Sequence, residues 1–326
     1  MFQSECPFCL SAAILDTLYV KEMYKGTREI FEYAICANCE SSYMVQIPSD
    51  MSKYYKDYYS FEDDTPGIDK SKLKRLIVNI YSIFIIKAGL SYLVRPLFRS
   101  PSSQLAKYLT PNLQAFLFIA AKTSARILDV GSGSGQFVKV MRRLGYKSSI
   151  GIDAFLVENS RREHVSRSDT HSITGVYDVI LFNHSFEHIA DPLAVLKKCA
   201  SLLSLRGTVA IHVPNIHSRE FKKYRENWWG IHAPYHFFVP SRKGIELLAA
   251  RCGLQISDSI CTSRADHYLY SDDYSRDISD VDRGSIRRKL ESGSFDRRLY
   301  VSLRKLACVL NKSLAGDWIV YYLARS

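Results

Sequence analysis

Arg126-Ile127-Leu128-Asp129-Val130-Gly131-Ser132-Gly133-Ser134-Gly135 is the stretch on which the reading of this chain turns. Ile127, Leu128 and Val130 make a short apolar run suited to a buried parallel strand, and glycines follow at once, where a helix is due to start. Gly131, Gly133 and Gly135 let the backbone enter positive φ and let a ligand come to contact distance, because no Cβ intervenes. Behind them, Gln136 to Leu144 places Phe137, Val140, Met141 and Leu144 on one helical face and stops at Gly145, a natural residue just past a helix C-terminus. Strand, tight turn and helix put the loop at a strand's carboxyl end.

A dinucleotide fingerprint asks for G-x-G-x-x-G, but here the third glycine comes one place early and Gln136 holds the expected position. Asp129, just before the loop, suits a cofactor with an amino group better than one presenting a pyrophosphate. Further on, Ile150-Gly151-Ile152-Asp153 reads as a second strand ending in a carboxylate, where a ribose diol needs an acceptor. Together these residues resemble the class I S-adenosylmethionine-dependent methyltransferases. The resemblance implies a Rossmann-like α/β fold with a seven-stranded sheet, and S-adenosylmethionine held by Asp129, Gly131, Ser132, Gly133, Gly135 and Asp153. A third strand is placed at Glu163 to Arg167, with Ser168 and Asp169 at its end as adenine contacts, and Asn183 joins the cofactor set from the end of the fourth strand.

The chain has 326 residues, enough for one large core and one or two appendages. Lysine and arginine exceed aspartate and glutamate by 44 − 33 = 11, so the surface favours anionic partners: nucleic acid, phosphorylated sugars or acidic lipid head groups. The first residues show no basic region followed by an apolar core, so no signal peptide is visible and a cytoplasmic location is expected.

Residues 1–48 hold Cys6-Pro7-Phe8-Cys9 and Cys36-Ala37-Asn38-Cys39, two C-x-x-C knuckles separated by about the length of a small hairpin. Each pair can give two thiolates to one tetrahedral zinc, and so small a segment needs a staple because its apolar core is tiny. With all four positions filled by cysteine no coordination site stays open, so the predicted Zn2+ is structural. Disulfides are disfavoured in a reducing compartment, and a redox pair needs only one C-x-x-C. Ile14 to Val20 and Glu29 to Ile35 supply the ribbon's strands. Cys199, Cys252, Cys261 and Cys308 lack ligand spacing and read as small hydrophobes.

Residues 49–115 read as a Tyr-rich linker and a helical cap. Tyr54, Tyr55, Tyr58, Tyr59 and Phe61 either line a substrate cleft or fasten the ribbon to the main domain. From Lys70 to Arg99 the chain is basic, and Leu76 to Val94 is apolar apart from Asn79, Ser82, Lys87 and Ser91. Lys87 and Asn79 make a spanning helix costly. A helical cap over the cofactor cleft is the favoured reading, and peripheral contact with the inner face of a membrane through 70–99 is the alternative.

Residues 116–326 read as the cofactor-binding domain, with a helical insertion at about 264–316 before the last strand. Tyr177 to Phe182 forms a fourth strand, followed by Asn183-His184-Ser185-Phe186-Glu187-His188-Ile189-Ala190-Asp191-Pro192. Asp191 can cap and Pro192 open a helix over Leu193 to Leu205. The Glu-His pair followed by Asp-Pro resembles the branch that includes ubiquinone-pathway O-methyltransferases, sugar C-methyltransferases and glycan-associated members, some with a four-cysteine ribbon. The resemblance continues through Gly207 to Asn215, Asn227-Trp228-Trp229 and Ala233-Pro234-Tyr235-His236. His232 and Tyr235 depart from the acid and arginine that often stand near these places in the glycan-associated group, so the substrate is not carried over. Ser241 caps a helix to Arg251, and Leu254 to Ile260 is strand six. Arg264 to Gly293 reads as exposed loop, Arg297 to Leu314 as a helix, and Gly316 to Leu323 as strand seven, returning antiparallel between strands five and six.

Methyl transfer from a sulfonium is an in-line displacement, so the enzyme holds the acceptor at attack geometry and removes a proton where one must leave. The resemblance makes His188 the first candidate for base, with Glu187 orienting it or fixing a substrate hydroxyl and His184 and His236 as second choices; a bracing role for the Glu-His pair stays open. The expected acceptor is a sugar, nucleotide-sugar or lipid-linked glycan intermediate. An RNA acceptor is the first alternative, disfavoured because Asn183-His184-Ser185-Phe186 lacks the prolines of an N-P-P-[YF] loop. A non-catalytic cofactor-binding interaction protein is the second. Oligomeric state is not legible.

Overall fold

The computed structural model describes residues 2–55, 111–119, 121–156, 163–283 and 297–326. The expected basic helix over 70–99 lies outside them, as do Tyr58, Tyr59 and Phe61.

The chain opens with a hairpin of β1 (Ile14–Lys21) and β2 (Ile30–Cys36), followed by β3 (Ser42–Met44) and a single turn, α1 (Ser52–Tyr55). Its turn is fastened by Glu22, whose carboxylate accepts from Lys25 N, Thr27 N and Thr27 Oγ1. Next come α2 (Pro111–Ile119), then β4 (Ile127–Val130), α3 (Gln136–Arg143), β5 (Ser149–Asp153), β6 (Val165–Arg167) and β7 (Tyr177–Asn183). α4 (Pro192–Leu202) starts as expected, with Asp191 accepting from Ala194 N at 2.9 Å and proline in its first turn. It ends earlier than expected: β8 (Leu203–Pro214) already starts at Leu203, and its residues from Val209 to Val213 are buried in the sheet between two neighbouring strands.

The chain continues through α5 (Arg219–Tyr224), β9 (Phe238–Val239), α6 (Arg242–Ala250) and β10 (Leu254–Cys261). α7 (Ala265–Ser275), α8 (Asp280–Arg283), α9 (Arg297–Lys312) and β11 (Trp318–Arg325) complete it. The loop expected from Arg264 is therefore helical over its first part. Ala265, Tyr268 and Leu269 fall at helical spacing and are all buried, and that burial outweighs the polar composition around them.

The main sheet has seven strands in the order β10-β11-β8-β7-β4-β5-β6. β4, β5, β6, β7 and β8 pair in parallel, while β11 runs antiparallel to both β8 and β10. This is the seven-stranded α/β sheet of class I methyltransferases, with the last strand returning where the sequence places it. One face is covered by α2 and α3, where Phe116 packs edge-on to Tyr146 and Phe118 stacks on Tyr322.

The ribbon does not stand apart from this domain. β3 pairs with β9, so a two-residue strand of the main domain becomes the fourth strand of the ribbon sheet. Phe8 packs against Phe238, Tyr33 donates its hydroxyl to the His236 carbonyl at 2.7 Å, and Ser241 N donates to Ser41 Oγ at 3.0 Å. One hydrophobic cluster runs from Cys6 to Leu323 through both parts.

Candidate active site

The glycine loop follows β4 and is tied to the end of β5: Gly131 N and Ser132 N both donate to the Ile152 carbonyl, at 2.8 and 3.0 Å. Gly131 sits at φ 72°, and a Cβ there would lie 2.4 Å from Ser185 Cβ, so only glycine lets this turn and the turn after β7 approach so closely. Gly133 N donates to Asp153 Oδ2 at 2.9 Å, and Phe155 N donates to Asp153 Oδ1 at 2.8 Å. The carboxylate that ends β5 thus fixes the loop while lining the cleft in front of it.

That cleft measures about 440 Å³. Gly131, Asp153 and Asp169 line it, with Ser168 and Thr170 at one side and Ile189 and Val195 at another. Asp169 is exposed and accepts from Ser172 N at 3.0 Å, a hydrogen bond that holds its carboxyl below the usual range. Asp129 is buried under the loop, where Asn183 Nδ2 donates to it at 3.0 Å and burial pushes its pKa up to about 7. The residues fit an S-adenosylmethionine-sized cofactor in chemistry: apolar walls, with the Asp153 and Asp169 carboxylates able to accept from hydroxyl and amine groups. Tyr55 stacks on Phe155 at 5.2 Å over the cleft, whereas Tyr54 is buried with its hydroxyl on Glu29. Tyr55 thus borders the cleft in front of the glycine loop, and Tyr54 joins the linker to the ribbon.

A second cavity, of about 490 Å³, lies behind the turn that carries the Glu-His pair. Imidazoles dominate it: His184, His188, His212, His232, His236 and His267 all line it, and His184 and His188 line the first cleft as well. His188 Nδ1 faces the Tyr235 carbonyl at 2.7 Å and the Tyr55 hydroxyl at 3.2 Å, so this nitrogen carries the proton. Burial lowers the pKa of His188 to about 4 and of His212 and His232 to about 3, and holds His236 well below the ordinary value, so the wall is built of neutral rings. Glu187 is fully buried and pushed up to about 8 by that burial. Its Oε1 lies 3.8 Å from His236 Nε2 and 4.0 Å from His184 Nδ1. The four residues expected to carry catalysis, His184, Glu187, His188 and His236, therefore meet in one place.

Two functional candidates escape the sequence reading. His267 Nδ1 lies 2.5 Å from Asp317 Oδ2, a buried carboxylate–imidazole pair at the far side of the second cavity. Trp229 stacks on His267 at 5.0 Å and 18°, while its neighbour Trp228 is buried in the core. Asp317 could be noticed only as an acid opening a buried apolar strand. His267 carried a signal in the 265, 268, 269 spacing around it.

The four ribbon cysteines also converge. Cys6 Sγ and Cys39 Sγ are 3.5 Å apart, as are Cys9 Sγ and Cys36 Sγ, and all four sulfurs lie within 4.8 Å of one another with no disulfide. A tetrahedral ion bound to four thiolates at about 2.3 Å needs sulfurs about 3.8 Å apart, so the donor set fits zinc. Among the described residues no helix is long and apolar enough to cross a membrane.

Residues 102–258 match the model of a methyltransferase-domain family. A ubiquinone biosynthesis O-methyltransferase of Xanthomonas campestris pv. campestris (strain B100) is 32% identical over 114 residues, covering 30% of this chain and 48% of that protein. The protein of the same description from Xanthomonas oryzae pv. oryzae (strain PXO99A) is 31% identical over 104 residues, 28% of this chain and 44% of that one. The chain thus spans about half the length of the curated relatives it matches. Among solved structures, the O-methyltransferase from a trans-AT PKS multienzyme of Brevibacillus brevis, in complex with S-adenosyl-L-homocysteine, aligns over 82% of each chain with 17% identity and a TM-score of 0.41. An S-adenosylmethionine-dependent methyltransferase from Archaeoglobus fulgidus aligns over 62% of this chain and 86% of its own, at 18% identity and a TM-score of 0.39.

Proposed function

We propose that this chain, with a class I methyltransferase domain at its centre, transfers the methyl group of S-adenosylmethionine to a small-molecule acceptor held in the histidine-lined cavity. The observation that carries the reading is that His184 and His188 line both the glycine-loop cleft and the second cavity, so a donor in one meets an acceptor in the other across that wall. When bound, the cofactor supplies an electrophilic methyl on a sulfonium. The chain's own residues bind, orient and manage the proton. Asp153 and the glycine loop hold the ribose side of the cofactor, Asp129 and Asn183 brace the loop from below, and Asp169 stands at the adenine end.

The acceptor class this cavity suits is a sugar, nucleotide-sugar or lipid-linked saccharide. Trp229 offers a flat apolar face, and the surrounding imidazoles offer nitrogens that hydrogen-bond hydroxyls without adding charge. His188, neutral and adjacent to the cofactor cleft, is the first choice for accepting the acceptor's proton, with Glu187, His184 and His236 behind it. The four-cysteine cluster holds a structural zinc in this reading, and the basic surface favours a phosphorylated acceptor or carrier.

Calorimetric titration of the zinc-loaded protein with S-adenosylmethionine and S-adenosylhomocysteine tests the central claim. Micromolar-range binding that is lost in Asp153→Ala is expected; a folded protein that binds neither compound overturns the reading. Nucleotide-sugars and lipid-linked saccharides are then the acceptors to screen.

A further inference from the structure

Among the described residues two clusters bring three or more ligating side chains within 4.8 Å of one another. One is the four-cysteine group; the other is Glu187, His188 and His236, in the wall between the two cavities. We infer that this second cluster binds a divalent transition-metal ion of its own, distinct from the ribbon metal and open on the side of the acceptor cavity.

The argument starts from Glu187. Its side chain is wholly buried, and neither carboxylate oxygen has a hydrogen-bond partner. Glu22, buried to the same extent, shows the ordinary solution, with three donors on its two oxygens. A buried carboxylate is costly unless paired or coordinated, and what surrounds Glu187 is imidazole nitrogen rather than a donor network. His236 is set up as a ligand: its Nδ1 faces the Gly230 carbonyl at 3.0 Å and therefore carries the proton, which turns the lone pair of Nε2 toward Glu187 Oε1 at 3.8 Å. A backbone carbonyl fixing the tautomer and ring orientation of a histidine is the usual outer support of a metal ligand. His184 Nδ1, also buried and without a partner, lies 4.0 Å from the same oxygen.

The backbone holds these groups in place. Glu187 sits in the short turn Phe186–His188, and its carbonyl accepts from Phe237 N at 2.8 Å, which locks the turn to the segment bearing His236. Ligand atoms at about 2.05 Å around a tetrahedral ion stand about 3.3 Å apart, so the Glu187–His236 pair needs to close by only about half an ångström. Two imidazoles and one carboxylate form a donor set that leaves a coordination position vacant, in contrast to the closed four-thiolate set. His188 and His236 both border the second cavity, so an ion held by them is within reach of an acceptor oxygen there. An ion there orients the oxygen and favours its ionised form, and in the loaded site the one lone pair of His188 serves as a ligand, so the residue is no longer the proton acceptor. The binding claim stands on the cluster alone; the catalytic consequence rests on the methyl-transfer reading.

Cobalt(II) is the probe. The full-length protein is loaded with Co2+, freed of excess by gel filtration, and analysed for cobalt content and visible absorption. Two cobalt ions per chain are expected, one with thiolate-to-metal charge transfer and one without. Glu187→Gln and His236→Ala should each hold a single cobalt with the thiolate bands intact, which also reports that the ribbon has folded, and should weaken the second site at least about hundredfold. His236→Gln serves as a second variant should alanine disturb packing. The inference is overturned if the wild type carries only the thiolate-bound ion, or if the second ion survives in all the variants. Titration of the same samples with S-adenosylhomocysteine separates the claims: cofactor binding with one cobalt sinks the metal site alone, and a second cobalt without cofactor binding sinks the methyl-transfer reading alone.

Discussion

At Asp153 and Glu187 the same chemistry, a buried carboxylate, has opposite surroundings. Asp153 accepts two backbone N–H donors, whereas Glu187 accepts none. The difference enters the pH dependence of folding. Five imidazoles, of His184, His188, His212, His232 and His236, are held below the ordinary 6.5 by burial, so the unfolded chain takes up their protons first and stability is lost as pH falls through 6.5 toward 4. Burial raises four acids: Asp280, Asp129 to about 7, Glu187 to about 8 and Glu220 to about 10. Their sign is reversed: the fold keeps the proton longer than the unfolded chain does, so their contribution falls as pH rises above about 4.5. Between 4.5 and 6.5 the imidazoles outnumber the acids, and above 6.5 only the acids act. Urea unfolding of the metal-free protein should therefore show greatest stability near pH 6.5, with Glu187→Gln flattening the decline between 6.5 and 8. A stability that keeps rising from pH 6.5 to 8.5 would show that these carboxyls are ionised in the fold. None of this is legible in the sequence, because the burial of His212 or Glu187 depends on segments far away in the chain, whereas the glycine loop and Asp153 carry their role in adjacent residues.

Elements with a local signature were legible, and those formed by tertiary burial were not. β4, β7 and β8 each carry a short apolar run closed by glycine or a polar turn, and the structure places them side by side in the sheet. α6 begins as read because Ser241 accepts from Gly244 N at 2.8 Å. α7 was hidden because its acidic and serine-rich composition resembles a loop, and what makes it a helix is the packing of Tyr268, Leu269 and Tyr274. β9 was hidden for another reason: two residues have no periodicity, and Phe238–Val239 becomes a strand only because β3 offers it a partner. The oversight at α7 matters for function, since this helix carries His267 to Asp317 at the start of β11. Asp317 holds the ring by Nδ1, which leaves Nε2 as the basic nitrogen of a residue lining the acceptor cavity. If the pair handles an acceptor proton, His267→Ala and Asp317→Asn should each lower kcat by about 10²- to 10⁴-fold with cofactor affinity unchanged. A rise in KM alone, with kcat intact, would reduce the pair to a binding wall.

At the scale of the whole molecule the ribbon acts as a lever on the acceptor cavity. Its four-cysteine cluster sits at one end of a sheet whose far strand, β9, begins two residues after His236. Tyr33 holds the His236 carbonyl, Met44 N donates to the Phe237 carbonyl at 2.8 Å, and Tyr24 lines the cavity itself. The cofactor cleft is anchored elsewhere, by hydrogen bonds among β4, β5 and the glycine loop, with Tyr55 as its contact from the linker. Losing the ribbon metal should therefore act unequally on the two cavities. A small thiolate-rich module takes much of its folding free energy from the metal, and without it β3 no longer offers β9 an ordered partner. Cys9→Ser with Cys36→Ser, which empties the four-cysteine site and leaves Glu187, His188 and His236 untouched, should lower turnover at least tenfold, yet change S-adenosylhomocysteine affinity by no more than about threefold, since one weakened aromatic contact is worth about 0.5 kcal/mol. Hydrogen exchange should then show protection lost in 30–46 and 236–240 but retained in 127–135 and 149–153. Equal loss in both regions would mean that the ribbon and the sheet unfold as one cooperative unit, as their shared core also permits, and the lever would have to be replaced by a single two-state fold that needs its metal throughout.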